Sequence, residues 1–233
     1  MRLPVGASRK FAEMVRRRLR REPVAYIIGR RGFRRIELLV DRRVLIPRPE
    51  TELLVDMALE LEPRSVLDVG TGSGAIALAV ADELPGARVI AIDTAFDAVR
   101  VAQSNTERLG LADRVDVVLR GVDSLAGAEP DERPFDLLLA NLPYVREDDW
   151  DGLQPEIREY EPREALVAGE TGLEVIVTLL EELTTLAKRP TAVALEVGDG
   201  QAVEVSELVG AAGYEKVEIH PDLGGIDRVV LGR

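Results

Sequence analysis

From residue 64 onward the chain alternates short apolar runs with longer helical patterns, and that alternation restricts the fold more than any other feature. "RSVLDVG", "ARVIAID", "RVDVVLR", "FDLLLAN", "TAVALEV", "YEKVEIH" and "DRVVLG" read as seven strands. "GAIALAVADEL", "AFDAVRVAQSNTERLG", "GLEVIVTLLEELTTLA" and "QAVEVSELVGAAG" fall between them as helices. Strands alternating with helices imply an α/β fold, a mostly parallel sheet covered on both faces. A polar loop over about 145–170 interrupts the pattern, and no internal repeat or low-complexity segment appears. A length of 233 residues allows one such domain and a small appendage.

The appendage is at the front. Residues 1–48 carry 15 Lys and Arg against 4 Asp and Glu, a net of +11, while the remainder of the chain is −23. This divides the chain into a basic N-terminal segment, 1–48, and an α/β body, 49–233, joined near 47–63. Within the front, Ser8 is expected to cap a helix over about 9–21 that Pro23 ends, with Phe11, Val15 and Leu19 forming one apolar stripe. "FRRIELLV" and "RVLIP", on either side of Asp41 and Arg42, predict a β-hairpin over 33–46. The basic segment fits either a docking surface for an acidic or phosphate-bearing partner or a solvated face balancing an acidic body. The absence of cysteine excludes disulfides, Cys-ligated zinc and a thiol nucleophile, and no metal centre is expected. No apolar run approaches the roughly 20 residues that span a bilayer, and the start lacks a signal-peptide core. The expectation is a cytoplasmic protein with no membrane contact.

The first chemical motif is "LDVGTGSGAIAL", residues 67–78. A strand ends at Asp68, and Gly70, Gly72 and Gly74 turn the chain into a helix, letting backbone approach a ligand closely. Gly70, Gly72 and Ala75 also match the loose dinucleotide fingerprint. Asp68, directly before the turn, argues against a pyrophosphate there and in favour of an amino group. Asp93 ends the next strand, where a carboxylate can bind both hydroxyls of a ribose, at the carboxyl edge that such sheets use for ligands. A glycine loop with an acid on each side suits the two ends of S-adenosylmethionine.

The second motif is "NLPY", residues 141–144, at the end of an apolar strand. Asn141 would face the transferable methyl group. Its side-chain oxygen and the Leu142 carbonyl together offer two acceptors, which is what the two protons of a planar –NH2 need. Pro143 shapes the turn, and Tyr144 supplies a ring on which the flat group can stack. The motif therefore reads as a cradle for an amide or amino nitrogen that will be methylated.

With these motifs in place, the sequence resembles the HemK/PrmC-type protein-(glutamine-N(5)) methyltransferases, which modify the Gln of a Gly-Gly-Gln loop in peptide-chain release factors. "EPVAYIIGRRGF", "VLIPRPETELLVD", "LDVGTGSGAIALA", "FDLLLANLPYV", "LQPEIREYEPREALVAGETGL" and "LEVGDGQ" carry the resemblance in order, from about Pro23 to the C-terminus. It implies a Rossmann-like class I S-adenosylmethionine-dependent methyltransferase, with a seven-stranded, mostly parallel sheet whose last strand is antiparallel. It implies that Gly70, Thr71, Gly72, Ser73, Gly74, Asp93, Val122 and Asn141 contact the cofactor. Asn141, Leu142, Pro143 and Tyr144 would form the catalytic, substrate-holding cradle for a release-factor glutamine. "PRPETE" at 47–52 would border the cofactor pocket. "YEPREAL" at 160–166 would shape the substrate side, with Glu161 and Pro162 at its mouth.

There are departures from the family pattern. Leu142 stands where the family usually has Pro. Val122 follows Gly121 where the family often has an acid, and Asp123 comes one residue later. Members usually carry several helices at the front, of which this chain keeps a counterpart of the last. Phe11, Val15 and Leu19 must then pack on the body or on another molecule.

Three other functions stay open at this stage. An adenine amino-methyltransferase on nucleic acid would use the same cradle and the basic front, although the −23 body opposes a phosphate backbone. A small-molecule methyltransferase and a non-catalytic cofactor-binding module are the others. His220, before Pro221, reads as a surface or loop residue rather than a catalyst. Trp150, in "REDDWDG", reads as a loop anchor or as a lid over substrate.

Overall fold

This computed structural model describes residues 7–125 and 134–233. The first six residues of the basic segment lie outside the described residues. The front of the chain forms helices α1 (Ala7–Leu19) and α2 (Val24–Ile28) and strands β1 (Arg30–Phe33) and β2 (Ile36–Leu39). The body follows with α3 (Glu52–Leu61), β3 (Ser65–Val69), α4 (Ala75–Glu83), β4 (Arg88–Asp93), α5 (Phe96–Leu109) and β5 (Val115–Leu119). Next come β6 (Leu137–Ala140), β7 (Val145–Arg146), α6 (Pro155–Arg158), β8 (Val167–Gly169) and α7 (Glu174–Thr185). The chain closes with β9 (Ala192–Glu196), α8 (Ala202–Ala211), β10 (Val217–Pro221) and β11 (Asp227–Gly232).

Seven of these strands form one sheet in the order β10-β11-β9-β6-β3-β4-β5. The pairs β3–β4, β3–β6, β4–β5 and β6–β9 are parallel, and β11 runs antiparallel to both β9 and β10. All seven expected strands are present, and the last in sequence is the antiparallel one.

Strand parity sorts the side chains between two cores. Val66, Ala91, Leu137, Leu139, Ala192 and Ala194 pack under α3, α4 and the front hairpin. Leu67, Val69, Ile92, Leu138, Ala140, Val193 and Leu195 pack under α7 and α8. The four residues of β6 are all buried because helices close both faces of this central strand. The same parity places Asp68, Glu196 and the continuation of β6 at Asn141 on the α3–α4 face.

The front departs from expectation in three ways. Ser8 lies inside α1 rather than at its cap. The hairpin turns at Arg34 and Arg35, with Phe33 opposite Ile36, and "RVLIP" is not a strand. Arg34 takes a left-handed φ of 50°, which its interactions hold in place. Its backbone N–H donates to Glu52, and its guanidinium reaches Glu83 Oε1 at 2.8 Å and Asp56 Oδ1 at 2.6 Å. The turn falls here because Phe33, Ile36 and Leu38 can then be buried against the body together. Third, "ELLVDMALEL" is helix α3, where sequence reading had only a junction.

Helix α1 leans on the loop region through Arg18 and Arg21, which both pair with Glu156 of α6, and through the Tyr160 hydroxyl donating to the Arg20 carbonyl. Its apolar stripe is not covered by the described residues: Phe11 is 69% and Leu19 78% exposed. Much of the basic front is engaged by body carboxylates. Arg34 and Arg35 meet Glu83, and Arg48 meets Glu161. To that extent the segment's charge fastens the front to the body, as the attraction between a basic arm and an acidic body allows.

Glu83 is the buried anchor of the hairpin turn, its side chain only 2% exposed. Glu83→Ala should destabilise the protein by about 2 kcal/mol. That is less than the roughly 3–5 kcal/mol of a fully buried pair, because Arg34 keeps Asp56. Urea unfolding of the variant checks this, and a change within about 0.5 kcal/mol would show that the pair does not hold the turn.

Candidate active site

Strands β3 and β6 are parallel neighbours with Val69 opposite Ala140, so Gly70 and Asn141 leave the sheet side by side. The glycine loop is fixed from below. The N–H groups of Gly70 and Thr71 both donate to the Ile92 carbonyl, at 2.9 and 3.0 Å. From α5, the buried Asn105 donates to the Ser73 carbonyl at 2.9 Å while pairing with both backbone groups of Leu39 in β2. The hairpin thus supports the loop through one side chain that the sequence reading did not single out.

Gly70 and Gly74 have φ of 74° and 84°, where a side chain is strained. A Cβ at Gly70 would lie 3.1 Å from Cδ2 of Leu142, and one at Gly74 would lie 2.9 Å from Leu78. Leu142 is therefore more than a carrier of a carbonyl: its side chain is buried and fills the space over Gly70.

A cleft of about 290 Å³ opens at this edge. Gly70, Gly72, Asp93, Val122, Asn141, Leu142 and Pro143 line it. A smaller hollow of about 40 Å³ adjoins it across Gly70, Gly72 and Asn141, and adds Thr71, Ser73, Pro47, Arg48 and Thr51. Gly74 and Tyr144 line neither space. Gly74 is a turn residue at the start of α4. Tyr144 lies behind the cradle, where its ring would touch a Cβ at Gly198 at 3.1 Å. Its backbone is clamped by an N–H bond to the Leu166 carbonyl and by Gln201 Nε2 donating to its own carbonyl, both 3.1 Å. Burial pushes its phenol up to about 12, so it stays neutral.

Asp93 stands at the cleft with Oδ2 accepting from Gly72 N–H and Oδ1 from Ala95 N–H, each at 2.9 Å. Burial raises its pKa, and the backbone donors counter that. Each oxygen retains acceptor capacity for a ligand. Asp68 behaves differently from expectation. Parity turns it under α4, where it is fully buried and accepts from Thr71 Oγ1 at 2.6 Å and from Ala77 N–H at 3.2 Å. It braces the loop from beneath instead of greeting an amino group. Its Oδ1 has no partner, and burial pushes the carboxyl up to about 7.

Asn141 donates through Nδ2 to Thr51 Oγ1 at 3.0 Å, which leaves its oxygen as the free acceptor. Thr51 sits at the N-cap position of α3 yet makes no capping bond with its side chain. Thr94 and Arg120 also line the cleft, as do Arg43 and Leu45 from the former "RVLIP". Pro162, Glu164 and Ala165 line the same cleft as Asp93, rather than a separate substrate side. Glu161 is a buried clamp that accepts from Ile46 N–H at 3.0 Å and from Arg48 at 2.6 Å. Asp123 turns back toward Gly121 and does not line the cleft. Trp150 lies under the Arg163 guanidinium of its own loop, 5.2 Å from the ring centre. His220 belongs to β10, with Nε2 buried and without a partner, in a different surface hollow. No group of metal-binding side chains occurs among the described residues, and no described helix is long and apolar enough to cross a membrane.

Comparison with known proteins completes the picture. Profiles described as "Methyltransferase domain" and "PrmC N-terminal domain" match residues 66–160 and 1–29. The release factor glutamine methyltransferase of Caulobacter vibrioides is 43% identical over 224 residues, covering 94% of this chain and 76% of the relative. Those of Chlorobaculum tepidum and Koribacter versatilis are 40% and 39% identical, covering 94% and 99% of this chain and 76% and 81% of the relatives.

The chain belongs to the release factor glutamine methyltransferase family.

As a member of that family it is an S-adenosylmethionine-dependent methyltransferase. Among solved structures, the catalytic domain of human METTL16 with an MAT2A 3′UTR hairpin matches with a TM-score of 0.67 at 18% identity, over 84% of this chain and 74% of that one. Its N-terminal domain in complex with SAH matches with a TM-score of 0.61 at 20% identity, over 84% and 75%. At such identities the likeness is one of fold. The cleft suits the family's cofactor chemically. It joins an acceptor carboxylate at Asp93, a backbone-rich glycine loop, and apolar walls from Val122, Ala98 and Val175.

The Asp68 carboxyl gives a pH signature. Its folded pKa, about 7, lies above the ordinary 3.8. Between those values the folded state binds more protons, so stability falls as pH rises through that range. Glu196 and Asp93 act with the same sign, while carboxylates lowered by ion pairs, such as Glu22 and Glu83, titrate below it. Asp68→Asn should flatten the slope and be more stable than the parent at pH 8 relative to pH 5. Urea midpoints at the two pH values test this, and parallel curves for parent and variant would contradict it.

Proposed function

We propose that this protein methylates the side-chain amide nitrogen of a glutamine in a peptide-chain release factor, the Gly-Gly-Gln glutamine. The observation that carries this reading is Asn141, beside Gly70 at the cleft, with its nitrogen tied to Thr51 and its oxygen free to accept. The names of the relatives supply the substrate class. The cofactor, when bound, supplies an activated methyl group on a sulfonium.

The chain's own residues do the rest. Asp93 accepts from the ribose hydroxyls, and Gly70, Thr71, Gly72 and Ser73 border the amino-acid end, with Val122 beside the base. Asn141 Oδ1 and the Leu142 carbonyl accept the two amide protons and direct the nitrogen lone pair at the methyl group. An amide nitrogen is a poor nucleophile because its lone pair is shared with the carbonyl, and removing that sharing by rotation costs about 18–20 kcal/mol. Orientation offers roughly 7–11 kcal/mol without such a twist. The acceptors strengthen their hold as the N–H groups acidify during attack. The methylated nitrogen then loses its proton readily, so no histidine is required. Pro143 bounds the acceptor amide, and Tyr144 backs the cradle from behind. Residues 1–48 contribute to substrate recognition, supported by the 1–29 match and by the uncovered stripe on α1. Phosphate binding by this front is not part of the reading, since Arg18, Arg21, Arg34, Arg35 and Arg48 already face carboxylates.

Incubation with S-adenosylmethionine and a release factor should add one methyl to the Gly-Gly-Gln glutamine, read by mass spectrometry. A release factor that stays unmodified while another acceptor is methylated would replace this substrate. Asn141→Ala should lower kcat by roughly 10²–10³-fold, the scale for losing one transition-state hydrogen bond, with little change in cofactor affinity. Asp93→Ala should instead weaken cofactor binding by about 1.5–3 kcal/mol, the worth of charge-assisted hydrogen bonds. Calorimetry showing unchanged affinity in a folded variant would remove Asp93 from the ribose site.

A further inference from the structure

Gln201 leads into α8 from the loop that follows β9, and its side chain meets two other loops. Nε2 donates to the Tyr144 carbonyl at 3.1 Å and to the Gly172 carbonyl at 3.4 Å, and Oε1 accepts from Gly198 N–H at 2.8 Å. Both amide protons and the amide oxygen are thus committed to backbone groups of three separate loops. A reversed amide would set its oxygen against two carbonyls and its nitrogen against an N–H, so one orientation is fixed. The neighbours leave no room beside it. A Cβ at Gly198 would lie 2.7 Å from Gln201 Oε1 and 3.1 Å from Tyr144 Cδ2. One at Gly172 would lie 2.6 Å from the Tyr144 oxygen and 2.9 Å from Gln201 Nε2.

The placement of Tyr144 matters because the cradle is a short bridge. Its upstream end, Ala140, is held in β6 between β3 and β9. At its downstream end Tyr144 and Val145 donate their N–H groups to the Leu166 carbonyl, at 3.1 and 2.8 Å, and the Tyr144 carbonyl rests on Gln201. Asn141, Leu142 and Pro143 lie between, and the proline ring fixes φ at its own position. With both ends pinned, the Leu142 carbonyl and the root of the Asn141 side chain have little freedom. With the Tyr144 carbonyl released, the two acceptors can drift from the line of attack. Gln201 lines neither the cleft nor the hollow beside it, so its bonds serve the cradle rather than the cofactor.

We propose that Gln201 is a positioning residue for methyl transfer: its side-chain amide pins the Tyr144 carbonyl to the Gly172 and Gly198 turns and thereby holds Asn141 and the Leu142 carbonyl in line with the acceptor nitrogen. This rests on the proposed role of Asn141 and Leu142.

Gln201→Met keeps bulk and removes every side-chain bond. Gln201→Glu keeps shape and the acceptor for Gly198 but has no amide protons for the two carbonyls. Gly198→Ala displaces the amide without altering Gln201. Each should lower kcat on the release factor by about 10–100-fold, the scale for misplacing a reacting group, with calorimetric affinity for S-adenosylhomocysteine little changed. The Gln201→Met, Gly198→Ala double variant should lose no more than the worse single one. A readout independent of activity is backbone hydrogen exchange. The Tyr144 and Val145 amides should exchange at least about tenfold faster in each variant, while those of β6 keep their rates. If Gln201→Met does not fold, Gln201→Glu and Gly198→Ala carry the test. Unchanged exchange at Tyr144 and Val145, losses that multiply in the double variant, or equal losses of kcat and cofactor affinity overturn the proposal. Faster exchange in a protein that does not methylate release factors upholds the clamp and refutes the substrate reading instead.

Discussion

The parallel register of β3 and β6 is the constraint on which the rest depends. It places Val69 beside Ala140, so the glycine loop and the Asn-Leu-Pro-Tyr segment leave the sheet as neighbours. The two segments are thereby set side by side by backbone hydrogen bonds, which do not depend on any single side chain. A slip of one residue in β6 would send Asn141 to the α7–α8 face and take it away from Thr51. The buried, four-residue apolar run of β6 and its two parallel neighbours make that slip costly.

The sheet was legible because its central strands, β3, β4, β6 and β9, are mostly apolar runs bounded by Gly, Asp and Asn, and helices α5 and α7 between strands carry clear periodicity. That the glycine loop, Asp93 and Asn141 meet at one cleft was legible because they sit at strand ends, where α/β sheets place ligands. What stayed hidden depends on relations between distant segments. Asp68 looked like a ligand from its place before the turn, but strand parity, the same as that of Val66, puts it under α4. Thr51 looked like part of a junction, since α3 was not recognised although its acids Glu52, Asp56 and Glu60 recur every four residues, and its link to Asn141 spans 90 residues. The hairpin was displaced because Arg34 adopts a conformation rare for a side-chain-bearing residue, and three carboxylates from elsewhere in the chain make that tolerable. No local pattern announces such support.

The charge asymmetry has a structural counterpart. A +11 segment beside a −23 remainder suggested an external partner or a segment balanced by the acidic body. Several of its arginines span long sequence separations to reach Glu83, Glu156 and Glu161 of that body. Glu161 ties the loop that lines the cleft to the segment that carries Arg48 and Thr51. The front is thus connected to the site by ion pairs and by Asn105, while the apolar stripe of α1 faces outward.

Leu142 over Gly70 carries a consequence for how such a site can change over generations. The isobutyl group occupies room that exists only because its neighbour has no side chain, so the two positions behave as a single steric locus. A bulkier residue at 70 would need a smaller one at 142 and would still carry the strain of a φ of 74°, so shrinking residue 142 alone does not free position 70. The constraint on lineages is therefore one-sided: residue 142 can vary around a fixed glycine, and the glycine cannot vary around it.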